Sequence, residues 1–265
     1  MNRRGPRTVA RAGRKPISWP GMGTPQHHTP PDPVVTLLLV RHGLTELTGS
    51  TLAGRSPGLH LDDRGRRQAA EVAGRLAGLD LAGVVSSPLE RCRETAAAIA
   101  EGREVTVDER FTECDYGDWT GRRLTDLAEE PLWRVVQAHP SAAAFPGGES
   151  LAGMAHRAVS AVRDWNERLL RDGRANPAYV VCSHGDVIKA IVADALGLHL
   201  DQFQRIQADP CSLTAIRYTR TRPFVARLND VGGSVADLLP DPAQASGDAV
   251  VGGGAGGPRA AESRR

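Results

Sequence analysis

Two short apolar runs, each followed by polar residues, are the most strongly patterned parts of the chain. Residues 36–40 and 179–183 are rich in branched side chains and carry no charge. Runs of this kind are typical of strands buried on both faces, as at the centre of a parallel sheet. The first run is followed by Arg41 and His42, and the second by His184. Because ligands bind at the edge where the carboxyl ends of parallel strands meet, we expect the two histidines to lie together.

Elsewhere the spacing of apolar positions changes between the period of helices and that of strands. Strands are also predicted over residues 84–86, 104–108, 213–218 and 224–228. Helices are predicted over residues 63–77, 87–100, 151–171 and 186–196, with short helices within residues 124–138. The last two strands are expected to pair in antiparallel fashion. The pattern therefore predicts an α/β fold with a mostly parallel sheet.

The tripeptide Arg41-His42-Gly43 is compatible with two interpretations. In one, an arginine and a histidine simply end a strand, and Gly43 makes a turn. In the other, the missing Cβ of Gly43 lets the chain turn sharply and lets another group approach the imidazole of His42. Short motifs often match by chance, so the choice depends on the rest of the chain.

A cation occurs where a helix should begin. Ser87 and Pro88 have the features of an N-cap and a first helical residue, which places Arg91 in the first turn. The helix dipole disfavours a cation at this end by roughly 0.3–1 kcal/mol. Arg91 is explained if an anion binds in front of the helix and meets both the free N–H groups and the guanidinium. The alternative is a surface arginine that pairs with Glu90 or Glu94.

Composition limits the classes of protein that fit. The 265 residues have room for one large or two small domains, and no apolar window is long enough for a membrane span. The net charge of +2 originates in residues 1–33, so the rest of the chain does not favour nucleic-acid binding. The four cysteines form no Cys-x-x-Cys pair, which is typical of reduced thiols in a cytoplasmic protein.

The two ends of the chain differ in composition from the middle. Residues 1–33 are basic, residues 233–265 are rich in Gly and Ala, and we expect both segments to be disordered. The first segment lacks the apolar region of a secretory signal. A transit peptide, or an overlong start with translation from Met22, are alternatives for it. One domain is expected over residues 34–232.

Five motifs occur in order along this domain. They are Leu39-Val40-Arg41-His42-Gly43-x-Thr45, Leu61-x-x-x-Gly65-x-x-Gln68-Ala69, Ser86-Ser87-Pro88-Leu89-x-Arg91-x-x-x-Thr95-Ala96, Glu113-x-x-Tyr116-Gly117-x-Trp119-x-Gly121 and Ser183-His184-Gly185. Together, over about residues 35–230, they resemble the histidine phosphatase superfamily in its phosphoglycerate mutase-like branch. The resemblance implies a three-layer α/β sandwich, with a mostly parallel central sheet and helices on both faces.

The resemblance also implies roles for five residues. His42 would be the nucleophile, whose ring nitrogen attacks phosphorus to give a phosphohistidine. Arg41, Arg91 and His184 would bind the phosphoryl oxygens and stabilise charge on the transferring group. Glu113 would protonate the leaving alcohol and then accept a proton from the attacking water. Neither a metal ion nor another cofactor is implied.

Thr45 and Thr48 are further candidates for substrate binding. The family usually has Asn three residues after the Thr of its first motif, and this chain has Thr48 there. Threonine can still donate a hydrogen bond, but with a shorter reach. The departure therefore bears on the efficiency or the substrate of the site.

Phosphatases and mutases of this family share these residues, so the choice between them depends on the pocket. Phosphoglycerate mutases typically have Glu-Arg-His-Tyr-Gly at the proton-donor motif, whereas this chain lacks the Arg and has Asp115 in place of the His. Asp115 would repel a substrate carboxylate. We therefore expect hydrolysis of a small phosphorylated metabolite, with residues 111–150 covering it. The alternative is a phosphomutase in which Arg122 and Arg123 supply a substitute anion site.

Two other classes of protein fit less well. Residues 148–152 approximate the Gly-x-Ser-x-Gly elbow of serine hydrolases, with His184 as the base, but the preceding residues are unlike a strand. Ser150 is therefore expected to be a helix N-cap. A non-catalytic protein that binds phosphorylated ligands would not need the full set of motif residues. Trp119 and Trp133 fit a pocket wall and a packed covering segment equally well, and the sequence gives no indication of the oligomeric state.

Overall fold

The computed structural model describes residues 33–233. The two predicted disordered segments lie outside this range, apart from one residue at the inner end of each. The strands are β1 (Val35–Arg41), β2 (Leu81–Ser86), β3 (Val105–Val107), β4 (Ala178–Ser183), β5 (Leu213–Tyr218) and β6 (Pro223–Asp230). The helices are α1 (Asp63–Leu76), α2 (Glu90–Ala100), α3 (Leu124–Leu127), α4 (Pro131–Ala138), α5 (Leu151–Arg171) and α6 (Gly185–Leu196). Short 3-10 helices add to these.

One six-stranded sheet, in the order β3-β2-β4-β1-β5-β6, organises these elements. The first four strands in this order are parallel, and β5 and β6 are each antiparallel to their neighbours. Arg41 lies opposite Ser183 in the register of β1 with β4. The His42 N–H then donates to the Ser183 carbonyl oxygen over 2.9 Å. The two strands that carry the histidine motifs therefore end side by side.

Residues that alternate along β1 pack into two separate cores. Leu37 and Leu39 are buried in a cluster with residues of α5 and α6. Leu38 and Val40 are buried in a second cluster with residues of α1 and α2. The sheet is thus covered on both faces, which explains why its central strands are continuously apolar. The predicted three-layer α/β sandwich is confirmed.

The helix that carries Arg91 begins later than predicted. α2 starts at Glu90, and its N-cap is Leu89, which has extended backbone angles and no capping side chain. The prediction that Ser87 caps this helix is wrong, because the Ser87 hydroxyl lies 2.7 Å from Nε2 of His184. Arg91 still lies in the first turn, as expected.

Gly43 permits close packing and does not make a sharp turn. The backbone has neither a turn nor a bend at Gly43, so the predicted sharp turn is wrong. A Cβ at Gly43 would lie 2.6 Å from the Gly65 carbonyl oxygen, and a Cβ at Gly65 would lie 2.1 Å from that of Leu44. The backbones at the end of β1 and the start of α1 are therefore in direct contact. Only glycine allows this approach at both positions.

Ser150 is the N-cap of α5, as predicted. Its hydroxyl accepts a hydrogen bond of 3.0 Å from the Gly153 N–H. The residues before it form turns and a 3-10 helix, not a strand. The strand-to-helix elbow of a serine hydrolase is therefore absent at this position.

Candidate active site

A cleft lies at the carboxyl ends of β1 and β4. Six of the predicted site residues line it: Arg41, His42, Thr45, Thr48, Arg91 and Glu113. The seventh, His184, is fully buried next to it, with its ring centroid 5.2 Å from that of His42. The structure therefore brings all the predicted site residues together.

The hydrogen bonds of His42 define which ring nitrogen is free to react. A guanidinium can only donate, so Nε2, which lies 3.3 Å from Nε of Arg91, accepts. Nδ1 then carries the proton and donates to the Gly43 carbonyl oxygen over 2.8 Å. Burial, together with the charges of Arg91 and Arg41, holds the pKa of His42 well below its ordinary value. The ring is therefore neutral, with the lone pair of Nε2 beside a guanidinium.

Arg91 contacts Nε2 of His42 but Nδ1 of His184, so the two rings present different nitrogens to it. Nδ1 of His184 lies 3.4 Å from a terminal nitrogen of Arg91, and Nε2 of the same ring lies 2.7 Å from the Ser87 hydroxyl. The Cys92 thiol also contacts this ring, with Sγ 3.3 Å from Nε2. Burial, followed by the charges of Arg91 and His42, holds the pKa of His184 well below its ordinary value. Two neutral imidazoles therefore share one arginine.

Arg41 and Arg91 are each anchored by one nitrogen and leave another without a partner. One terminal nitrogen of Arg41 donates to the Ala208 carbonyl oxygen, and one of Arg91 donates to that of Gly54, both over 2.7 Å. Nε of Arg41 and Nη1 of Arg91 are buried and make no hydrogen bond. An unsatisfied buried donor costs roughly 1–3 kcal/mol, more when it is charged. An oxyanion bound between these residues would remove that cost.

Glu113 lies beside the same nitrogen of His184 that Arg91 approaches, with Oε2 3.9 Å from Nδ1. Its other oxygen accepts a hydrogen bond of 2.9 Å from the Cys114 N–H. Burial is the main cause that raises the pKa of Glu113 to about 7, and the charge of Asp186 adds to it. Arg91 and Arg41 act in the opposite direction. A carboxyl with this pKa can both donate and accept a proton near neutrality.

Thr45 and Thr48 form a small hydroxyl pair on the cleft wall. The Thr48 hydroxyl accepts from the Thr45 N–H over 3.0 Å, and the two hydroxyl oxygens are 2.9 Å apart. Thr48 therefore orders the loop after β1 in spite of its short side chain. The Thr45 side chain is held beside the cleft as a result.

Arg157, which the motifs did not indicate, supports the segment that carries Glu113. From α5 it donates to the carbonyl oxygens of Arg110, Thr112 and Glu113, over 2.8, 2.7 and 3.0 Å. It also pairs with Glu149 at 2.6 Å. Only the charge of Arg157 could be read from the sequence, because its partners are mostly carbonyl groups far along the chain.

Several residues that the sequence made candidates lie away from the cleft. Asp115 is 3.6 Å from Arg55 and does not line the cleft. Arg122 pairs with Glu130 at 2.6 Å, and Arg123 donates to both carboxylate oxygens of Asp126. The substitute anion site expected for a phosphomutase is therefore not formed by these two arginines.

The two tryptophans pack against each other instead of forming the cleft wall. Trp119 is buried, stacks on Trp133 at 6.3 Å and contacts the Phe145 ring edge-on. Neither tryptophan lines the cleft. Of the two interpretations, the packed covering segment is the one observed.

Within residues 33–233, no group of three or more His, Cys, Asp or Glu side chains is arranged to hold a metal ion. In the same range, no helix has the length and apolar content needed to cross a membrane. The four cysteines are free and buried.

Comparison with known proteins finds relatives that are named as phosphatases and as phosphoglycerate mutases. Phosphoserine phosphatase 1 of Hydrogenobacter thermophilus is 33% identical over 204 residues, which are 74% of this chain and 92% of that protein. Probable phosphoglycerate mutase GpmB of Cronobacter sakazakii is 31% identical over 212 residues, 77% of this chain and 95% of that protein. The native structure of a mycobacterial glucosyl-3-phosphoglycerate phosphatase has a TM-score of 0.67 at 27% identity, covering 74% of this chain and 99% of that one.

The family-level match covers nearly all of the residues that the structure describes. The sequence model of the histidine phosphatase superfamily, branch 1, matches residues 37–231. This range contains all the motifs and every strand of the sheet except the first two residues of β1. The chain belongs to branch 1 of the histidine phosphatase superfamily.

Proposed function

We propose that this protein hydrolyses the phosphomonoester of a small phosphorylated metabolite, without a metal ion, through a phosphohistidine on His42. One observation carries the proposal: Nε2 of His42 is unprotonated and lies in a cleft between two guanidinium groups, each with a buried nitrogen that has no partner. A neutral nucleophile beside two cations fits attack on an anionic phosphoryl group.

The first step transfers the phosphoryl group to the enzyme. A bond forms between Nε2 of His42 and phosphorus, and the bond between phosphorus and the ester oxygen breaks. Glu113 gives its proton to the departing alcohol, and the now ionised carboxylate remains beside His184. Arg41 and Arg91 bind the phosphoryl oxygens throughout and stabilise their charge.

The second step returns the enzyme to its starting state. Water attacks phosphorus, Glu113 accepts the proton of that water, and the bond to His42 breaks. Inorganic phosphate leaves, His42 is neutral again, and Glu113 is protonated again. The pKa of about 7 suits both roles of Glu113.

Residues 111–150 supply part of the substrate's surroundings in this proposal. Glu113, Tyr116 and Leu124 line the cleft opposite the loop after β1, which includes Thr45 and Thr48. These walls are mostly hydroxyl and aliphatic groups, which suits a small metabolite. The buried free thiols support the cytoplasmic location expected from composition.

The proposal is tested with p-nitrophenyl phosphate on wild type and two alanine variants. His42→Ala removes the nucleophile and should lower kcat/KM by at least roughly three orders of magnitude. His156→Ala, on the exposed face of α5, is the matched control and should have no effect. Equal rates for wild type and His42→Ala would overturn the proposal, and the absence of hydrolysis in both would favour a protein that only binds phosphorylated ligands.

A phosphomutase is the second candidate, because a relative that is 31% identical has that name. Against it, Arg122 and Arg123 are paired with carboxylates and do not line the cleft. The repulsion of a substrate carboxylate expected from Asp115 does not apply, because Asp115 does not line the cleft either. Incubation with 3-phosphoglycerate and a bisphosphate primer separates the two reactions. We expect free phosphate, whereas isomerised product without free phosphate would establish the mutase.

A further inference from the structure

A buried charged group that the proposed reaction does not use lies behind the cleft wall. The Tyr116 hydroxyl donates to Oδ2 of Asp186 over 2.8 Å, and Nζ of Lys189 lies 3.6 Å from Oδ1. Tyr116 and Asp186 have no exposed surface, and Lys189 is 3% exposed. Tyr116 itself lines the cleft next to Glu113. The group therefore connects α6 to the active-site wall.

Stability alone does not explain this cluster. Taking two charges out of water costs several kcal/mol per ion, and replacement of a buried ion pair by apolar residues is often neutral or stabilising. The neighbours of Asp186 and Lys189 on α6, such as Val187 and Ile188, are buried apolar residues. An apolar residue at either charged position would match that surrounding core.

Asp186 lies close to one of the proposed site residues in the chain and is fixed by its neighbours. It follows His184 by two residues and lies in the first turn of α6, where the helix dipole favours a carboxylate. The Lys189 ammonium is held by Gln204, over 2.9 Å, and lies 5.4 Å from the centroid of the Phe203 ring. Asp186 is thus fixed on one side by Lys189 and fixes Tyr116 on the other.

We propose that Asp186 is a positioning residue of the active site, which holds Tyr116 in place and so orients the cleft wall beside Glu113. This inference rests on the proposed function.

The charge of Asp186 also affects Glu113, whose carboxyl lies beside the same cleft wall. The charged and titratable groups that act on Glu113 come from every neighbouring element: His184 after β4, Arg91 and Cys92 of α2, Arg41 of β1, Asp186 and Lys189 of α6, and Cys114 and Tyr116 of its own segment. After burial, Asp186 is the largest influence that raises the pKa of Glu113, and the two arginines lower it. Loss of the Asp186 charge should therefore make Glu113 lose its proton at lower pH.

The test compares the pH dependence of kcat/KM for glycerol phosphate, whose alkoxide leaving group needs a proton, in four proteins. Wild type should lose activity as pH rises through about 7. Asp186→Asn keeps an acceptor for Tyr116 but removes the charge. The fall of kcat/KM at high pH, called the falling limb here, should therefore move to lower pH. A shift of half a unit lowers kcat/KM about threefold above both pKa values. Tyr116→Phe should raise KM and leave the limb in place, and Asp194→Asn, on the same helix, is the control and should match wild type.

A second substrate and a double variant separate an effect on proton donation by Glu113 from a general loss of structure. With p-nitrophenyl phosphate, whose leaving group needs little protonation, Asp186→Asn should stay within about twofold of wild type. If the uncompensated Lys189 unfolds Asp186→Asn, the double variant Asp186→Asn/Lys189→Met removes both charges and should still move the limb to lower pH.

Any of three results would overturn the inference: a pH profile that does not move in a folded Asp186 variant, an equal loss of activity with both substrates, or a KM of Tyr116→Phe equal to that of wild type. Wild-type hydrolysis that still depends on His42 would in that case leave the proposed function intact. Activity that does not require His42 would instead contradict the proposed function itself.

Discussion

At the scale of single residues, Glu113 is a carboxyl group whose charged form is disfavoured by its buried surroundings. The side chain is buried, and its pKa is raised to about 7 from an ordinary value of 4.5. The folded protein therefore binds this proton more tightly than the unfolded chain does. By linkage, the stability that depends on the proton is present below pH 4.5, is lost as pH rises to about 7, and stays lost above it.

Replacement of Glu113 by glutamine should therefore stabilise the protein while it impairs catalysis. Gln keeps an oxygen for the Cys114 N–H and has no proton to lose. We expect the melting temperature of Glu113→Gln to exceed that of wild type at pH 8 and to equal it near pH 4. Thermal unfolding at several pH values measures this difference. Glu129→Gln, on the exposed surface, should show no such trend, and a Glu113→Gln variant that is less stable than wild type at pH 8 would contradict the assignment.

At the scale of secondary-structure elements, the contact of β1 with α1 positions His42. The Gly43 and Gly65 backbones are too close for any Cβ. Since His42 directly precedes Gly43, a shift of this contact would move the His42 ring relative to Arg91. The precision of the site thus depends on two residues without side chains.

Gly43→Ala should lower both stability and activity. The new Cβ would meet backbone atoms at 2.6 to 3.0 Å, so β1 and α1 must move apart, at a cost of about 1–3 kcal/mol. Gly74→Ala is a matched control within α1, where no atom lies within 4 Å of the new Cβ. That change should be neutral or add up to about 1 kcal/mol of helix stability. The measurements are chemical denaturation and the rate of p-nitrophenyl phosphate hydrolysis. If Gly43→Ala equals wild type in both, the contact does not have this role.

The sequence predicted the helices and strands well, but it did not predict all the side-chain contacts between them. Residues 36–40 and 179–183 indicated β1 and β4 because continuous apolar character identifies strands covered on both faces. The start of α2 was mistaken because Ser87 has the local features of an N-cap, while its hydroxyl bonds to His184, a residue 97 positions away. Local pattern cannot show such a competition between partners.

At the scale of the whole molecule, Arg157 joins α5 to the segment that carries Glu113. It donates to three backbone carbonyl oxygens of that segment and pairs with Glu149, which also accepts from Arg55. Arg55 in turn donates to the Glu113 carbonyl oxygen over 2.8 Å. The position of Glu113 is thus maintained by two arginines, one before it and one after it in the chain.

Arg157→Met should weaken this support and reduce kcat. The change leaves several carbonyl oxygens and Glu149 without their donor, at a cost of roughly 2–4 kcal/mol. Arg171→Met, on the same helix, loses only an exposed ion pair of 3.8 Å with Glu167 and should have little effect. Unfolding free energies and kcat are the measurements. A loss no larger for Arg157→Met than for Arg171→Met would show that the network is dispensable.

What the motifs could not predict is this long-range support. They identified the groups that meet in the cleft, and the structure places all seven candidate residues there or directly behind it. Arg157 and Asp186 belong to no motif, and the groups that connect them to the site, the Glu113 carbonyl oxygen and the Tyr116 hydroxyl, lie 44 and 70 residues away in the sequence. Their roles follow from packing, which a single sequence does not contain.

The central claim is that phosphate becomes attached to His42. Glu113→Gln should form this adduct from p-nitrophenyl phosphate, whose leaving group needs no acid, and then hydrolyse it slowly because no base activates water. Mass spectrometry after a rapid quench in base should find phosphate on the peptide with His42, at a level above that in wild type. Phosphate on another residue, or turnover by wild type without any adduct on His42 in either protein, would contradict the mechanism.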